Sequence, residues 1–185
     1  FFFYNKKFVD YAGGYGIFTR LMRDTGFDFY WQDLHCSNLL ARGFEYNPEM
    51  QNNVELITTF EVFEHLDDPL KEISKMFEVS TNLIFSTILL PSPLPKPGEW
   101  WYYGFDHGQH VSFYSYKTML CIAEKFGLNF YSFRDVHIFT RKKLNMYLFK
   151  SLIVLSKPGL FFYVKKMLQS KTWDDHLRFS KIKPE

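Results

Sequence analysis

The stretch "VDYAGGYGIFTRLM", residues 9–22, places three glycines directly behind an aspartate and then becomes amphipathic. A short buried strand pattern precedes the glycines and a helix pattern follows them, so the glycines occupy a tight strand-to-helix turn. Gly14 and Gly16 permit positive φ and let backbone N–H groups approach a ligand with no Cβ in the way. The stretch therefore predicts either a packed turn or a ligand loop at the N-terminus of a helix.

Strand and helix patterns alternate along the rest of the chain. Further strands are predicted within 27–34, 54–62 and 81–90, and a helix is predicted to start with Asp68 as N-cap and Pro69 as its first residue. Ser115 caps a later helix that ends near Gly127, and two strands then meet around Arg134. The alternation predicts an α/β fold: a Rossmann-like, doubly wound, mostly parallel sheet with a terminal antiparallel strand, plus C-terminal helices.

Finer expectations concern burial and a short connecting segment. The residues expected on inward, apolar helix faces or as small buried hydrophobes are Ile17, Phe18, Leu21, Met22, Leu70, Ile73, Met76, Cys36 and Cys121. The segment "SNLLARGFE", residues 37–45, predicts a short helix followed by a brief strand at 43–45.

The composition bounds the class of protein. A chain of 185 residues that is 46% hydrophobic and 21% aromatic can bury one core and line an apolar pocket. Two cysteines cannot form a disulfide framework, and no apolar run reaches the ~18 residues of a membrane span. The chain opens with "FFFYNKK" almost on the first strand, so we expect that N-terminal residues are missing. These features predict a cytoplasmic protein with no membrane span.

Positive charge is concentrated at the C-terminal end. Residues 141–185 hold 11 Lys or Arg against 3 Asp or Glu, whereas the rest of the chain is net acidic. Such a segment is suited to a phosphate-bearing substrate or an acidic surface, or it forms solvated helix faces. The balance of the whole chain argues against a nucleic-acid partner. We expect a domain at 1–143 with a basic helical extension at 144–185 that serves the active site or an assembly surface, which leaves a homo-oligomer open.

Asp33 ends the second predicted strand, 17 residues after Gly16. A carboxylate there can accept hydrogen bonds from both ribose hydroxyls, as in dinucleotide enzymes and adenosyl-cofactor enzymes. A dinucleotide fingerprint that starts at Gly14 requires glycine where this chain has Thr19, and the chain contains no Tyr-x-x-x-Lys. A dinucleotide-dependent oxidoreductase is therefore the weaker alternative. Asp10, just before the glycines, is suited to orient the loop or to accept hydrogen bonds from an ammonium group.

Three segments resemble the motifs of class I S-adenosylmethionine-dependent methyltransferases. "FVDYAGGYGIFTRLM", residues 8–22, resembles the first motif, an acid followed by G-x-G-x-G. "ITTFEVFEHLDDPLKEI", residues 57–73, is similar to the fourth-strand segment of one branch, in which Glu-His-Leu and a proline follow the strand. "HGQHVSFYSYKTM", residues 107–119, resembles the segment after the fifth strand of the same branch. The three motifs occur in the family's order.

The resemblance implies S-adenosyl-L-methionine as cofactor and methyl transfer to O or C of a small-molecule acceptor, such as a sugar or another hydroxylated metabolite. It assigns cofactor contacts to Asp10, Ala12, Gly13, Gly14, Gly16, Asp33, Phe60 and Glu61. Ala12 stands where the motif has its first glycine, and the acid that often meets adenine is represented only by Glu45. A non-catalytic cofactor-binding or interaction module on the same fold remains the second alternative.

The proline-rich segment 91–114 is predicted to be a substrate-side loop. Its aromatic run is predicted to wall a substrate pocket and consists of Trp100, Trp101, Tyr102 and Tyr103. Sugar C-methyltransferases that resemble this chain place a histidine in the following segment, which implies His110 as general base and His107 as second choice, beside Gln109 where the family often has Glu. Asp106 and these two histidines lack a further ligand at a recognisable spacing, so no metal site is expected. His65 is expected to fix a loop.

Overall fold

The sheet is built from six strands among the residues that this computed structural model describes, Phe2 and 5–180. The strands are β1 (Lys7–Tyr11), β2 (Asp28–Gln32), β3 (Val54–Thr59), β4 (Leu83–Ser86), β5 (Asn129–Phe133) and β6 (Val136–Thr140). They form one sheet in the order β2-β1-β3-β4-β6-β5. β1 pairs with β2 and β3 with β4 in parallel, whereas β6 is antiparallel to β4 and to β5. The predicted α/β fold is confirmed, and the last strand in the chain is the antiparallel one.

The described residues form six α-helices, two of which begin at the predicted N-caps, Asp68 and Ser115. They are α1 (Ile17–Thr25), α2 (Pro69–Val79), α3 (Tyr116–Lys125), α4 (Met146–Leu155), α5 (Phe161–Met167) and α6 (Thr172–Ser180). Gly26 ends α1 at φ 116°. The Asp68 side chain accepts from the Lys71 N–H at the start of α2, and Ser115 caps α3. None of the described helices is long and apolar enough to cross a bilayer.

The chain divides into two compact units. The first comprises Phe1–Glu55 with Tyr147–Glu185, and the second comprises Leu56–Met146. The basic C-terminal segment thus belongs to the same unit as the glycine-rich stretch. In that segment a kink within Ser156–Leu160 separates α4 from α5, and Gly159 has a non-helical φ of 146° there.

The buried face of α1 in the first unit differs from the prediction. Ile17 and Leu21 are 59% and 56% exposed, whereas Arg23 is buried. Arg23 donates from Nε and Nη2 to the two carboxylate oxygens of Asp175 on α6, at 2.9 and 2.7 Å. Its guanidinium also lies 3.7 Å from the centroid of the Phe44 ring. The apolar-face prediction was wrong for Ile17 and Leu21, because a cation with a carboxylate and an aromatic partner takes the inward position. Phe18 and Met22 are half-buried, and the Phe18 ring contacts the buried Phe29 ring edge-on at a centroid distance of 5.5 Å.

The second unit packs aromatic rings onto its strands. The Phe85 ring on β4 stacks on Phe63 at a centroid distance of 4.0 Å. Ile73 and Met76 of α2 are fully buried as predicted, but Leu70 is 44% exposed. The inward prediction was wrong for Leu70, which lies in the first turn of α2.

The segment 37–45 contains no helix. The Asn38 side chain accepts from the Ala41 N–H at 2.8 Å and donates to the Ala41 carbonyl at 2.7 Å. These bonds close a turn in place of a helical one, which is the usual competition that Asn offers to a helix. The expected strand at 43–45 is reduced to a single parallel bridge between Glu45 and Trp31.

The two cysteines are exposed and free, which corrects the expectation that they are buried. Cys36 lies in the turn after β2, where its N–H bonds the Asp33 carboxylate at 2.9 Å. Cys121 lies on the outward face of α3, whose inward residues are Met119, Ile122 and Ala123. Cys36 is exposed because it lies in a surface turn, and Cys121 because it lies on the outward face of its helix. The usual burial of cysteine as a residue type predicts neither position.

Candidate active site

The loop between β1 and α1 adopts left-handed backbone conformations. Ala12, Gly14 and Gly16 have φ of 57°, 54° and 87°. The Gly16 N–H donates to the Gly13 carbonyl at 2.9 Å, which closes the turn. Positive φ at the two glycines confirms the predicted turn, and Ala12 adopts the same conformation despite its Cβ.

The glycines of this loop have different surroundings. A Cβ on Gly13 would lie 2.7 Å from Asp10 Oδ2, and a Cβ on Gly16 would lie 2.8 Å from Asn38 Oδ1. A Cβ on Gly14 would have no described atom within 4 Å. Gly13 and Gly16 therefore serve close packing, and Gly14 is the position where the backbone faces open space.

Asp10 lies beneath the loop at the end of β1 and is 3% exposed. Its Oδ2 accepts from the Thr19 hydroxyl at 3.4 Å, and Thr19 belongs to the first turns of α1. Thr19, which stands where a dinucleotide fingerprint has glycine, thus contacts Asp10. Of the two roles expected for Asp10, these contacts match the orientation of the loop.

The Asp33 carboxylate, just after β2, holds two segments of backbone. Its Oδ2 accepts from the Gly14 N–H at 2.9 Å. Its Oδ1 accepts from the N–H groups of His35 and Cys36 at 2.7 and 2.9 Å. A carboxylate offers about four acceptor positions. The described contacts use three, which leaves one on Oδ2 for a ligand hydroxyl.

A second polar turn follows β3 in the other unit. Glu61 has φ 55°, and its N–H donates to the Ser86 hydroxyl at 2.8 Å. The Ser86 hydroxyl in turn donates to Glu61 Oε1 at 2.5 Å. Phe60, just before this turn, is 36% exposed. Glu61 is therefore held in an unusual backbone conformation by the end of the neighbouring strand β4.

Glu64 and His65 lie in the 3₁₀ turn Phe63–His65 that comes next. Glu64 has no exposed surface, and neither of its carboxylate oxygens has a hydrogen-bond partner among the described residues. Its carbonyl accepts from the N–H groups of Val111 and Ser112 at 2.8 and 3.0 Å. These backbone bonds bring the segment that contains His110 beside the turn.

The imidazoles of His65 and His110 are oriented by backbone carbonyls. His65 Nδ1 lies 2.8 Å from the Gln109 carbonyl, and His110 Nδ1 lies 2.6 Å from the Tyr102 carbonyl. Because a carbonyl only accepts, each Nδ1 carries a proton, and the Nε2 of each neutral ring keeps a lone pair. The expectation that His65 bonds a loop agrees with its contact.

These histidines and Glu64 form one cluster. One ligand atom from each of Glu64, His65 and His110 lies within 4.8 Å of the other two. The His107 ring centroid lies 5.1 Å from that of His110, but His107 is not part of the three-residue cluster. Sequence reasoning grouped His110 with Asp106 and His107 and missed Glu64. The available signal was an acid and a histidine in one turn directly after a buried strand.

The aromatic run is divided between core and surface. Tyr102 is 2% exposed, whereas Trp101 is 76% exposed. The Tyr102 hydroxyl lies 3.1 Å from the Thr87 hydroxyl, and its carbonyl holds His110. The Trp100 ring contacts Tyr103 edge-on at a centroid distance of 5.0 Å. Tyr102 therefore orients His110 through its carbonyl. Trp100 and Tyr103 are half-buried, and Trp101 is exposed.

Two phenols near Glu64 stay protonated over a wide pH range. Burial raises the pKa of Tyr102 to about 12, and the charge of Glu64 adds to the effect. Burial likewise raises the pKa of Tyr114 to about 12, again with a contribution from Glu64. Both phenols therefore stay neutral beside Glu64 and supply no charge that balances its carboxylate.

Comparison with known proteins gives one family match. A family model described as a methyltransferase domain matches residues 1–132. A search of curated proteins finds no match. Among solved structures, OxaC in complex with sinefungin and meleagrin is 18% identical with a TM-score of 0.49, over 72% of this chain and 41% of OxaC.

Two further solved structures are similar at the same level. An O-methyltransferase family 2 protein from Planctomyces limnophilus in complex with apigenin is 17% identical, with a TM-score of 0.47 over 72% of this chain and 48% of that one. The small RNA methyltransferase HEN1 is 17% identical, with a TM-score of 0.47 over 76% of this chain and 24% of that one. The chain spans less than half the length of each of these proteins.

Proposed function

Because this chain belongs to the class I S-adenosylmethionine-dependent methyltransferase family, whose model matches residues 1–132, we propose that it methylates a hydroxyl oxygen of a small molecule. The methyl group passes from the sulfonium sulfur of S-adenosyl-L-methionine to the acceptor oxygen. S-adenosylhomocysteine leaves, and the hydroxyl proton goes to a base of the protein. The acceptor class is a sugar or another hydroxylated metabolite.

The observation that carries the cofactor part is the open backbone at Gly14. This glycine alone of the three in the loop would place a Cβ in open space, and its N–H is anchored on Asp33. Asp33 Oδ2 keeps one acceptor position for a ribose hydroxyl. Ala12, Gly13 and Gly16 shape the turn around it, and Asp10 fixes its start. Phe60 and Glu61 keep the cofactor role that the family resemblance gives them.

The observation that supports an oxygen acceptor is the tautomer of His110. Its Nδ1 donates to the Tyr102 carbonyl, so the Nε2 lone pair is the basic site of the neutral ring. A base of this kind near neutral pH suits the removal of a hydroxyl proton in the transition state. His107, whose ring is adjacent, is the second candidate. The partly exposed rings of Trp100, Trp101 and Tyr103 are proposed to contact the acceptor.

The remaining requirement is alignment of donor and acceptor. The sulfonium methyl is already activated, so the protein mainly has to hold sulfur, methyl and acceptor oxygen in line. Positioning of this kind contributes about 7–11 kcal/mol to the lowering of a barrier. The residues named above therefore act chiefly by binding and orientation, with proton removal at one histidine.

Calorimetric titration with S-adenosyl-L-methionine and S-adenosylhomocysteine tests the cofactor part. We expect saturable binding of one equivalent to the intact chain and none to the folded Gly14→Val variant. An acceptor screen with labelled methyl donor, across free sugars, nucleotide-linked sugars and phenols, then tests the transfer. Cofactor binding without transfer to any acceptor would favour a non-catalytic module, and binding of NADH instead would favour an oxidoreductase.

A further inference from the structure

Glu64 is buried in a way that its described neighbours do not compensate. It has no exposed surface, and neither carboxylate oxygen has a hydrogen-bond partner among the described residues. Of the nearby phenols, Tyr114 donates to the Phe63 carbonyl at 2.8 Å. The Tyr102 hydroxyl lies 3.1 Å from the Thr87 hydroxyl and also faces Glu64, which contributes to the raised pKa of that phenol. A buried carboxylate is costly unless it is paired or coordinates a metal. The site therefore calls for a cation.

The two imidazoles beside Glu64 are prepared as nitrogen ligands. Each Nδ1 donates to a backbone carbonyl, at 2.8 Å for His65 and 2.6 Å for His110. A second-shell carbonyl of this kind fixes the tautomer and the ring orientation of metal-binding histidines. The ring centroids lie 5.0 Å apart at an interplanar angle of 74°, so the rings converge without stacking.

We propose that Glu64, His65 and His110 bind a divalent transition-metal ion through a carboxylate oxygen and the two Nε2 atoms. One ligand atom from each residue lies within 4.8 Å of the other two. These atoms must approach by up to about 1.5 Å to reach the ~3.3 Å spacing of tetrahedral ligands at a metal–nitrogen distance of about 2.0 Å. Two nitrogens and one carboxylate oxygen favour Zn²⁺, Mn²⁺ or Co²⁺ over Mg²⁺, which prefers oxygen ligands. Three protein ligands leave positions for water or an acceptor hydroxyl.

The proposal rests on residues of the second unit alone and does not need methyl transfer. Where methyl transfer also holds, the ion gives the acceptor hydroxyl a ligand position and lowers the pKa of that hydroxyl. The Nε2 lone pair of His110 then belongs to the metal. The acceptor proton passes to the neighbouring His107 or to solvent. The single lone pair of His110 thus serves as base in the metal-free protein and as ligand in the loaded one.

Metal binding is measured on the full chain after dialysis against a chelator. Calorimetric titration with Zn²⁺ and Mn²⁺ is expected to give one equivalent per chain, and Co²⁺ is expected to develop a d–d absorption band. Glu64→Gln, His65→Asn and His110→Asn are each expected to weaken binding by at least about 100-fold, since even second-shell changes cost 10- to 100-fold. His35→Asn, in the turn after β2, is the matched control and is expected to bind as wild type.

Thermal unfolding provides a readout that needs no activity. Zn²⁺ is expected to raise the Tm of the wild type and not that of Glu64→Gln. The metal-free Glu64→Gln protein is expected to unfold at or above the wild-type Tm, because the substitution removes a buried charge. His65 is exposed, so His65→Asn serves as the folded variant even if the buried position tolerates no change.

The proposal is overturned if the wild type binds none of the three ions at one equivalent, or if the three ligand variants bind as tightly as His35→Asn. Cofactor binding is tested separately by titration with S-adenosylhomocysteine, because that binding does not require the metal ligands. Failure of the cofactor site can thus be told apart from failure of the metal site. Methyl transfer that continues unchanged in the presence of chelator would remove the metal from the reaction and return the base role to His110.

Discussion

The Gly14 N–H donates to Asp33 Oδ2 at 2.9 Å, so the open point of the glycine loop is anchored on the acid directly after β2. The Gly14 carbonyl accepts from Trp31 Nε1 at 2.9 Å, which fixes the following peptide as well. A loop held at both ends presents its backbone to a ligand with little loss of conformational entropy on binding.

Gly14 and Gly16 are expected to respond differently to substitution. Gly14→Val meets open space but places a β-branched side chain at φ 54°, which is expected to lower the free energy of unfolding by about 1–2 kcal/mol. The variant is expected to keep the fold and to lose S-adenosylhomocysteine binding. Gly16→Ala forces a Cβ against Asn38 and Ala41 at φ 87° and is expected to lower the free energy of unfolding by about 1–3 kcal/mol. Calorimetry and thermal unfolding separate the two effects. Unchanged cofactor affinity in a folded Gly14→Val protein would remove the loop from the site.

Asp33→Ala is expected to weaken S-adenosylhomocysteine binding by about 1.5–3 kcal/mol, because it deletes a charged acceptor for a ribose hydroxyl. It is also expected to lower thermal stability, since three backbone N–H groups lose their acceptor. Asp33→Asn keeps one acceptor oxygen and serves as the comparison. A change in affinity of only a few tenths of a kcal/mol would mean that Asp33 holds the loop and does not contact the cofactor.

The ion pair between Arg23 and Asp175 is expected to stabilise the first unit. Asp175→Asn removes one of the two carboxylates that bond Arg23, because Asp28 Oδ1 remains 2.8 Å from its Nη1. The substitution is expected to cost about 1.5–3 kcal/mol in unfolding free energy, the range for a hydrogen bond to a charged group. Replacement of both residues by Met and Leu is expected to cost less than the single change. Denaturant unfolding of wild type, Arg23→Met, Asp175→Leu and the double variant completes a double-mutant cycle that measures the coupling, and strictly additive effects would contradict it.

The same pair implies loss of stability in acid. Burial opposes ionisation of Asp175, yet its bonds to Arg23 and Arg20 hold the pKa of its carboxyl below the usual value. A carboxyl whose pKa is lower in the folded state contributes stability above its unfolded pKa, and the contribution disappears as the pH falls through the folded pKa. We expect wild type to lose more unfolding free energy than Asp175→Asn on acidification below pH ~4. Parallel curves would refute the assignment.

His110→Ala is expected to keep S-adenosylhomocysteine affinity and to lower kcat by about 10²–10⁴, the usual contribution of a positioned base. His107→Ala is the comparison, since its ring is adjacent but lies outside the cluster with Glu64. Wild-type kcat in His110→Ala would end the proposal and make His107 the next candidate.

Much of this molecule follows from local patterns. The strand–helix alternation predicts the α/β fold, the side chains of Asp68 and Ser115 cap their helices where expected, and positive φ occurs at Gly14 and Gly16. These features depend on backbone preferences and on hydrogen bonds between near neighbours in the chain. A single sequence is sufficient to predict them.

Two features were decided by the tertiary structure alone. Arg23 is buried because Asp175, 152 positions later, supplies a carboxylate partner. The periodicity of α1 does not predict this contact. Glu64 and His65 acquire their third member from a loop whose backbone bonds to the Glu64 carbonyl bring His110 alongside. The sequence by itself determined where strands, caps and glycine turns lie, because local chemistry sets them. Which charged and titratable side chains meet was settled by packing between distant segments, whose free energy no local pattern encodes.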